Sequence, residues 1–193
     1  MARGLWEHGQ MSTKSETGEA SVDSAQGGTR YQDGSGGVWA FTHEDILVVC
    51  PNCGAPAIVR IIEKDEQHPV RSTRELTCDH CLARRRSGSV LLVRGGPRDP
   101  FLHQQLWLQI PCGDHVLWAF NEAHIDFLRA VVQAKLRENA PGSHVTANYS
   151  ARLPRWVLDR KKRGQVLKAL DRLQTKAAEH HIDLGERGQS RGR

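Results

Sequence analysis

The chain has 193 residues, a formal net charge of +5 and a sequence pI near 9.1, with 38% hydrophobic and 25% charged residues. That length can bury one real core, a single compact unit with loose ends. Its longest apolar runs, Ile46 to Cys50 and Val90 to Val93, fall far short of the ~20 residues a membrane span needs, and no secretory signal is visible at the N-terminus, so a soluble, cytoplasmic protein without a membrane partner is expected.

Residues 1–37 hold eight Gly and five Ser with almost no aliphatic residues, a composition that cannot offset the entropy of ordering, and a disordered extension is expected there. Residues 38–98 read as strands around two turns. Ile46-Leu-Val-Val leads into Cys50, Ala57-Ile-Val-Arg-Ile-Ile follows Cys53, Arg74-Glu-Leu-Thr leads into Cys78, and Ser89-Val-Leu-Leu-Val follows Cys81. The charged, proline-containing connection from Glu63 to Arg71 reads as a hairpin loop, and Gly95-Gly-Pro ends the pattern.

Residues 99–142 predict a second hairpin and a helix. Leu106, Leu108 and Ile110 alternate with Gln105, Trp107 and Gln109, Pro111-Cys-Gly-Asp makes the turn, and Val116, Trp118 and Phe120 are expected on one face of the returning strand. Asn121 is a good N-cap for a helix running to about Asn139, where Pro141-Gly142 stops it. Ile125, Leu128, Val132 and Leu136 fall on one face, while Ala123, Phe127, Ala130, Val131 and Ala134 cover much of the other. One hairpin and one four-strand unit offer little to cover both sides, so a homodimer or a protein complex is expected to bury Phe127, Val131 and Ala134.

Residues 143–180 predict a basic helical segment, a short helix at Trp156-Val157 followed by a longer one from about Gly164 to Ala178, and residues 181–193 a loose tail. Charge is concentrated here: residues 152–193 hold twelve Lys/Arg against five Asp/Glu. The fold class expected overall is α+β.

Four of the five cysteines form two C-x-x-C pairs, Cys50-Pro-Asn-Cys53-Gly54 and Cys78-Asp-His-Cys81, with twenty-four residues between them. In a reducing compartment such pairs bind metal or do redox work, and two spaced pairs in a strand context favour metal. The pattern resembles the zinc ribbons of transcription and translation factors. What this implies is a Zn²⁺ held tetrahedrally by Cys50, Cys53, Cys78 and Cys81, closed to further ligands and therefore structural. Asp99-Pro-Phe, Leu106-Trp-Leu, Cys112-Gly and Leu117-Trp-Ala-Phe-Asn also resemble a set of small uncharacterised bacterial zinc-ribbon proteins, a likeness that implies a bacterial cytoplasmic origin and no mechanism.

Two basic clusters stand out: Arg84, Arg85 and Arg86 directly after the second pair, and Arg152, Arg155, Arg160, Lys161, Lys162 and Arg163, continued by Lys168, Arg172 and Lys176. A charge run is often only a solvated face. On a chain that resembles zinc ribbons the two clusters together predict contacts to nucleic-acid phosphates, which Arg and Lys neutralise without base-specific geometry. The expected function is a non-enzymatic, regulatory nucleic-acid-binding protein, with a protein–protein adaptor as the alternative. Cys112, His115 and His124 could form a second metal site or a nucleophile–base pair, but with no fourth ligand in sight Cys112 reads better as a small buried turn residue. Trp156 reads as core before it reads as a stacking platform. No Ser-His-Asp order, phosphate-cradling glycine loop or carboxylate pair suggests an enzyme.

Overall fold

The computed structural model describes residues 30–33, 38–67, 71–87, 96–134, 136–139 and 149–189. It is α+β, as expected. Strands β2 (Ile46–Val49), β3 (Pro56–Glu63), β4 (Thr73–Thr77) and β5 (Arg84–Arg86) form one antiparallel sheet in sequence order. The register pairs Ile46 with Val59, Val59 with Leu76 and Leu76 with Arg85. Because side chains alternate along a strand, this register puts Ile46, Val48, Ala57, Val59 and Leu76, all at most 2% exposed, into one buried layer.

Strand β2 is not a free edge. Trp107 N–H donates to Leu47 O at 2.9 Å, Leu47 N–H donates to Phe120 O at 2.9 Å, and Val49 N–H donates to Gln105 O at 2.8 Å. These bonds splice the sheet to the hairpin of β6 (Gln109–Cys112) and β7 (His115–Trp118), which turns at Gly113 with φ of +60°. Leu106, Leu108 and Ile110 point inward as their alternation required. On the returning strand Val116 is 46% exposed, while Leu117, Ala119 and Phe120 are buried. The long C-terminal helix packs on β6 and β7, and it is Leu117, opposite Ile110 in register, that enters the core.

Helix α1 (Glu122–Gln133) begins at Asn121, whose Oδ1 accepts from His124 N–H at 3.0 Å and whose Nδ2 donates to Phe41 O at 2.7 Å. It ends at Gln133, nearly two turns before the end near Asn139 that the sequence suggested. Ala134 is already extended, and Leu136–Asn139 forms β8, paired in parallel with β1 (Arg30–Asp33). Strand pairing with a distant segment has here overridden local helix preference. The same pairing corrects the expectation for Arg30–Asp33, which belong to a sheet; the rest of the expected disordered extension lies outside the described residues. The strand expected over Ser89–Val93 also lies outside them, and the chain leaving the second cysteine pair forms β5 instead.

Helices α2 (Arg155–Leu158) and α3 (Arg163–Gln189) complete the fold. α3 continues well past Ala178, so most of the segment expected to be a loose tail is helical. No proline interrupts it, and its glycines each cost only about 1 kcal/mol. Val166, Leu170, Leu173 and Ala177 of α3 are fully buried against α1 and the hairpin.

Both apolar sides of α1 are covered within one chain. Ile125, Leu128 and Val132 are buried, and so are Phe127, Val131 and Ala134. Phe41 and Tyr149 lie over Phe127, with ring centroids 4.9 and 5.5 Å away. The apolarity that suggested a second subunit is therefore spent inside the chain's own core.

Candidate metal centre and basic surfaces

β2 delivers Cys50 and β4 delivers Cys78 into two tight turns that repeat the same backbone pattern. Cys50 N–H donates to Ala55 O at 2.8 Å, and Cys78 N–H donates to Ala83 O at 3.0 Å. Each turn needs a left-handed residue directly after its second cysteine. In the first it is Gly54, φ +73°, where an added Cβ would meet nothing within 4 Å; only the backbone angle asks for glycine. In the second it is Leu82, φ +60°, a residue that rarely adopts this conformation.

The turns bring four sulfurs together. Cys50 Sγ lies 3.6 Å from Cys81 Sγ, and Cys53 Sγ lies 3.7 Å from Cys78 Sγ. All four lie within 4.8 Å of one another. A tetrahedron with Zn–S bonds of about 2.3 Å has an S···S edge of about 3.8 Å, so the donor set fits a tetrahedral thiophilic ion. Cys50 and Cys78 are buried, while Cys53 and Cys81 face solvent.

The electrostatics of the thiols follow from this crowding. Burial raises the Cys50 thiol, but N–H groups of Asn52 and Cys53 and the neighbouring thiols outweigh it and bring its pKa down to about 7. The N–H of Ala55 acts to lower Cys53, yet desolvation and the other three sulfurs together hold it up at about 12. Cys78 is raised first by burial, against N–H groups of Cys81 and His80. Four like charges cannot all ionise at this spacing unaided, whereas a divalent cation would deprotonate the set. The backbone N–H groups aimed at sulfur supply the supporting hydrogen bonds such an ion's ligands need.

The predicted basic residues divide into two kinds. Arg84, Arg85 and Arg86 all stand exposed on β5, the outer strand of the sheet. Arg84 and Arg86 flank Glu75, at 3.7 and 3.1 Å, while Arg85, alternating with them, faces the other side. Arg152, Arg155, Arg160, Lys161, Lys168 and Arg172 are exposed too. Lys162 is half-buried.

Arg163 and Lys176 are engaged in the fold. Arg163 Nη2 donates to Ala134 O at 3.1 Å, satisfying a carbonyl at the end of α1. Lys176 is half-buried against Trp107, and burial lowers its pKa, with Glu179 acting the other way. Cys112 is buried in the hairpin turn, its thiol raised by burial against the pull of Lys162. His115 stacks on half-buried Trp156, with centroids 4.6 Å apart. Among the described residues the four-cysteine group is the only set of three or more His, Cys, Asp or Glu side chains close enough to share a metal ion.

Two buried polar residues escaped sequence reasoning. Arg74 is 1% exposed. Its guanidinium lies 3.4 Å from the Phe101 ring centroid and donates to Ser72 O at 3.1 Å. Burial pulls its pKa down to about 10 despite the charge of Asp99. Asp99 in turn accepts from Phe101 N–H at 2.9 Å and Leu102 N–H at 2.7 Å. The available signal was phase: Arg74 sits two residues before Leu76 on β4 and so shares its inward face.

No helix among the described residues is long and apolar enough to cross a membrane. No family model, curated protein or solved structure matches the chain.

Proposed function

We propose that Cys50, Cys53, Cys78 and Cys81 hold one structural Zn²⁺ in a zinc ribbon, and that the ribbon presents Arg84, Arg85 and Arg86 to the phosphates of a nucleic acid, without catalysis. The observation that carries the metal reading is the sulfur spacing of 3.6 and 3.7 Å, close to the edge of a zinc–thiolate tetrahedron. Such a closed set leaves no position for water or substrate. The nucleic-acid reading is supported by three successive exposed arginines on an outer strand beginning three residues after Cys81, with a second exposed basic group at Arg155, Arg160, Lys161, Lys168 and Arg172.

The test is a salt titration with duplex and single-stranded DNA and RNA. Log affinity should fall with log salt at a slope near −0.9 per phosphate contact on duplex DNA, so about five contacts give roughly −4 to −5. No detectable binding at ~50 mM salt, where counterion release favours association most, refutes this reading.

One observation favours the adaptor as a second reading. Leu82 is 65% exposed at the second cysteine turn, apolar surface whose burial under a protein partner would be favourable. In that case Leu82→Ser weakens capture of the partner and leaves nucleic-acid affinity negligible.

A further inference from the structure

The two cysteine turns are built alike but filled differently. Gly54 follows Cys53 and Leu82 follows Cys81, both in the left-handed region, at φ of +73° and +60°. Glycine adopts that conformation without strain and leucine does not, so the second turn carries a cost that the first avoids. Packing does not offset it. Leu82 is 65% exposed, and Asp79, His80 and Cys81 before it are exposed as well. A strained side chain that the fold itself does not use points to contact with something outside the chain.

The surroundings of Leu82 say what that contact is. Its apolar surface stands alone: the other large exposed hydrophobics among the described residues are Ile62, toward the opposite end of β3, and Val116 on β7. A protein interface is built on a cluster of buried anchors within a rim that excludes water, whereas one leucine is enough to lie against the face of one base, as apolar wedges do. Arg84, Arg85 and Arg86 begin two residues further on, all exposed. Two residues span at most about 7 Å, so the leucine and the first arginine meet adjacent parts of one ligand, one apolar and one anionic. A nucleotide has that composition.

We propose that Leu82 lies against the face of an unpaired base whose flanking phosphates are held by the arginines of β5, so that the ligand is single-stranded nucleic acid. This rests on the nucleic-acid reading above and narrows it. In a duplex the base faces are closed by stacking, and exposing one at a kinked step costs free energy. A single strand presents them at little cost.

The test titrates the full, zinc-loaded chain with three fluorescent probes of equal length: oligodeoxythymidine, the same strand without its bases, and a duplex. The abasic strand keeps every phosphate, so the first comparison isolates the base. Oligodeoxythymidine should bind roughly five- to thirtyfold more tightly than the abasic strand, the range that covering the exposed 65% of a leucine supplies. Both strands should share one salt slope, which counts phosphates alone. At ~150 mM salt, where screening is strong, oligodeoxythymidine should also outbind the duplex. Leu82→Gly, which relieves the strain, and Leu82→Asn, which suits the left-handed region, should each erase the preference for bases and leave the slope unchanged. Equal affinity for the two single strands overturns the proposal while the nucleic-acid reading stands, and that outcome is read without any variant. A preference that survives both substitutions overturns it too, as does tighter binding to the duplex. No binding to any probe at ~50 mM salt removes the nucleic-acid reading together with this proposal, and leaves Leu82 to a protein partner.

Discussion

Lys176 Nζ donates to the main-chain carbonyl of Trp107 at 2.6 Å and lies 4.4 Å from the centroid of the same residue's ring. One side chain of α3 thus holds the segment whose backbone also bonds to β2. Lys176→Ala should destabilise the protein by about 1–2 kcal/mol, from the lost charge-assisted bond and cation–π contact together, and leave the salt dependence of nucleic-acid binding unchanged. Lys161→Ala, at an exposed position, should do the reverse: stability within about 0.5 kcal/mol and a shallower salt slope by about one contact. Denaturant unfolding and salt titration of both variants check the pair. A flattened slope for Lys176→Ala would return that residue to the proposed phosphate-binding surface.

Metal content is the second expectation. Freshly purified protein should carry about one zinc per chain by elemental analysis, and Cys53→Ser or Cys78→Ser should unfold the four-stranded sheet. A structural zinc supplies an apparent ~10–16 kcal/mol that a sheet of this size cannot replace. Purified protein without zinc, its sheet intact by amide exchange, would remove the site.

Leu82 and Gly54 occupy matching positions in the two turns, and only Gly54 suits its backbone. Leu82→Gly should raise stability by about 0.5–1.5 kcal/mol, relief of the left-handed strain less the added chain entropy of glycine. Gly54→Ala should cost about 1 kcal/mol although its Cβ would touch nothing. Thermal melts of the metal-loaded variants measure both. Destabilisation by Leu82→Gly would mean that the leucine side chain earns its place through contacts.

Burial holds His124 at a pKa of about 3, below its usual 6.5. Between those values the unfolded chain binds a proton that the folded one refuses, so stability is lost as pH falls from about 6.5 towards 3. From about pH 7 to 5 this one residue should remove about 2 kcal/mol. Protonation of the four cysteines would release a bound zinc over the same range, so the measurement is a difference. Wild type should lose about 2 kcal/mol more than His124→Phe between the two pH values, and equal losses would show that the imidazole is solvated in the folded state.

The four-cysteine set, the strands leading into it, the Asn121 cap and the inward phase of Leu106, Leu108 and Ile110 were all determined by the sequence alone. Each depends on spacing or alternation within a few residues, and a strand or cap expresses such a pattern whatever surrounds it. Tertiary structure decided the rest. The helix begun at Glu122 stops at Gln133 because Leu136–Asn139 pairs with Arg30–Asp33, more than a hundred residues earlier, a choice that no local window contains. The apolar second side of that helix reads identically whether a second chain or Phe41 and Tyr149 cover it, and only the folded chain shows which. Arg163 and Lys176 carry the same charge as Lys161 and Lys168, but what a cation does depends on what lies within reach of its tip. For these two that is a carbonyl of Ala134 and a ring and carbonyl of Trp107, brought there by the packing of α3 and not by anything adjacent in sequence.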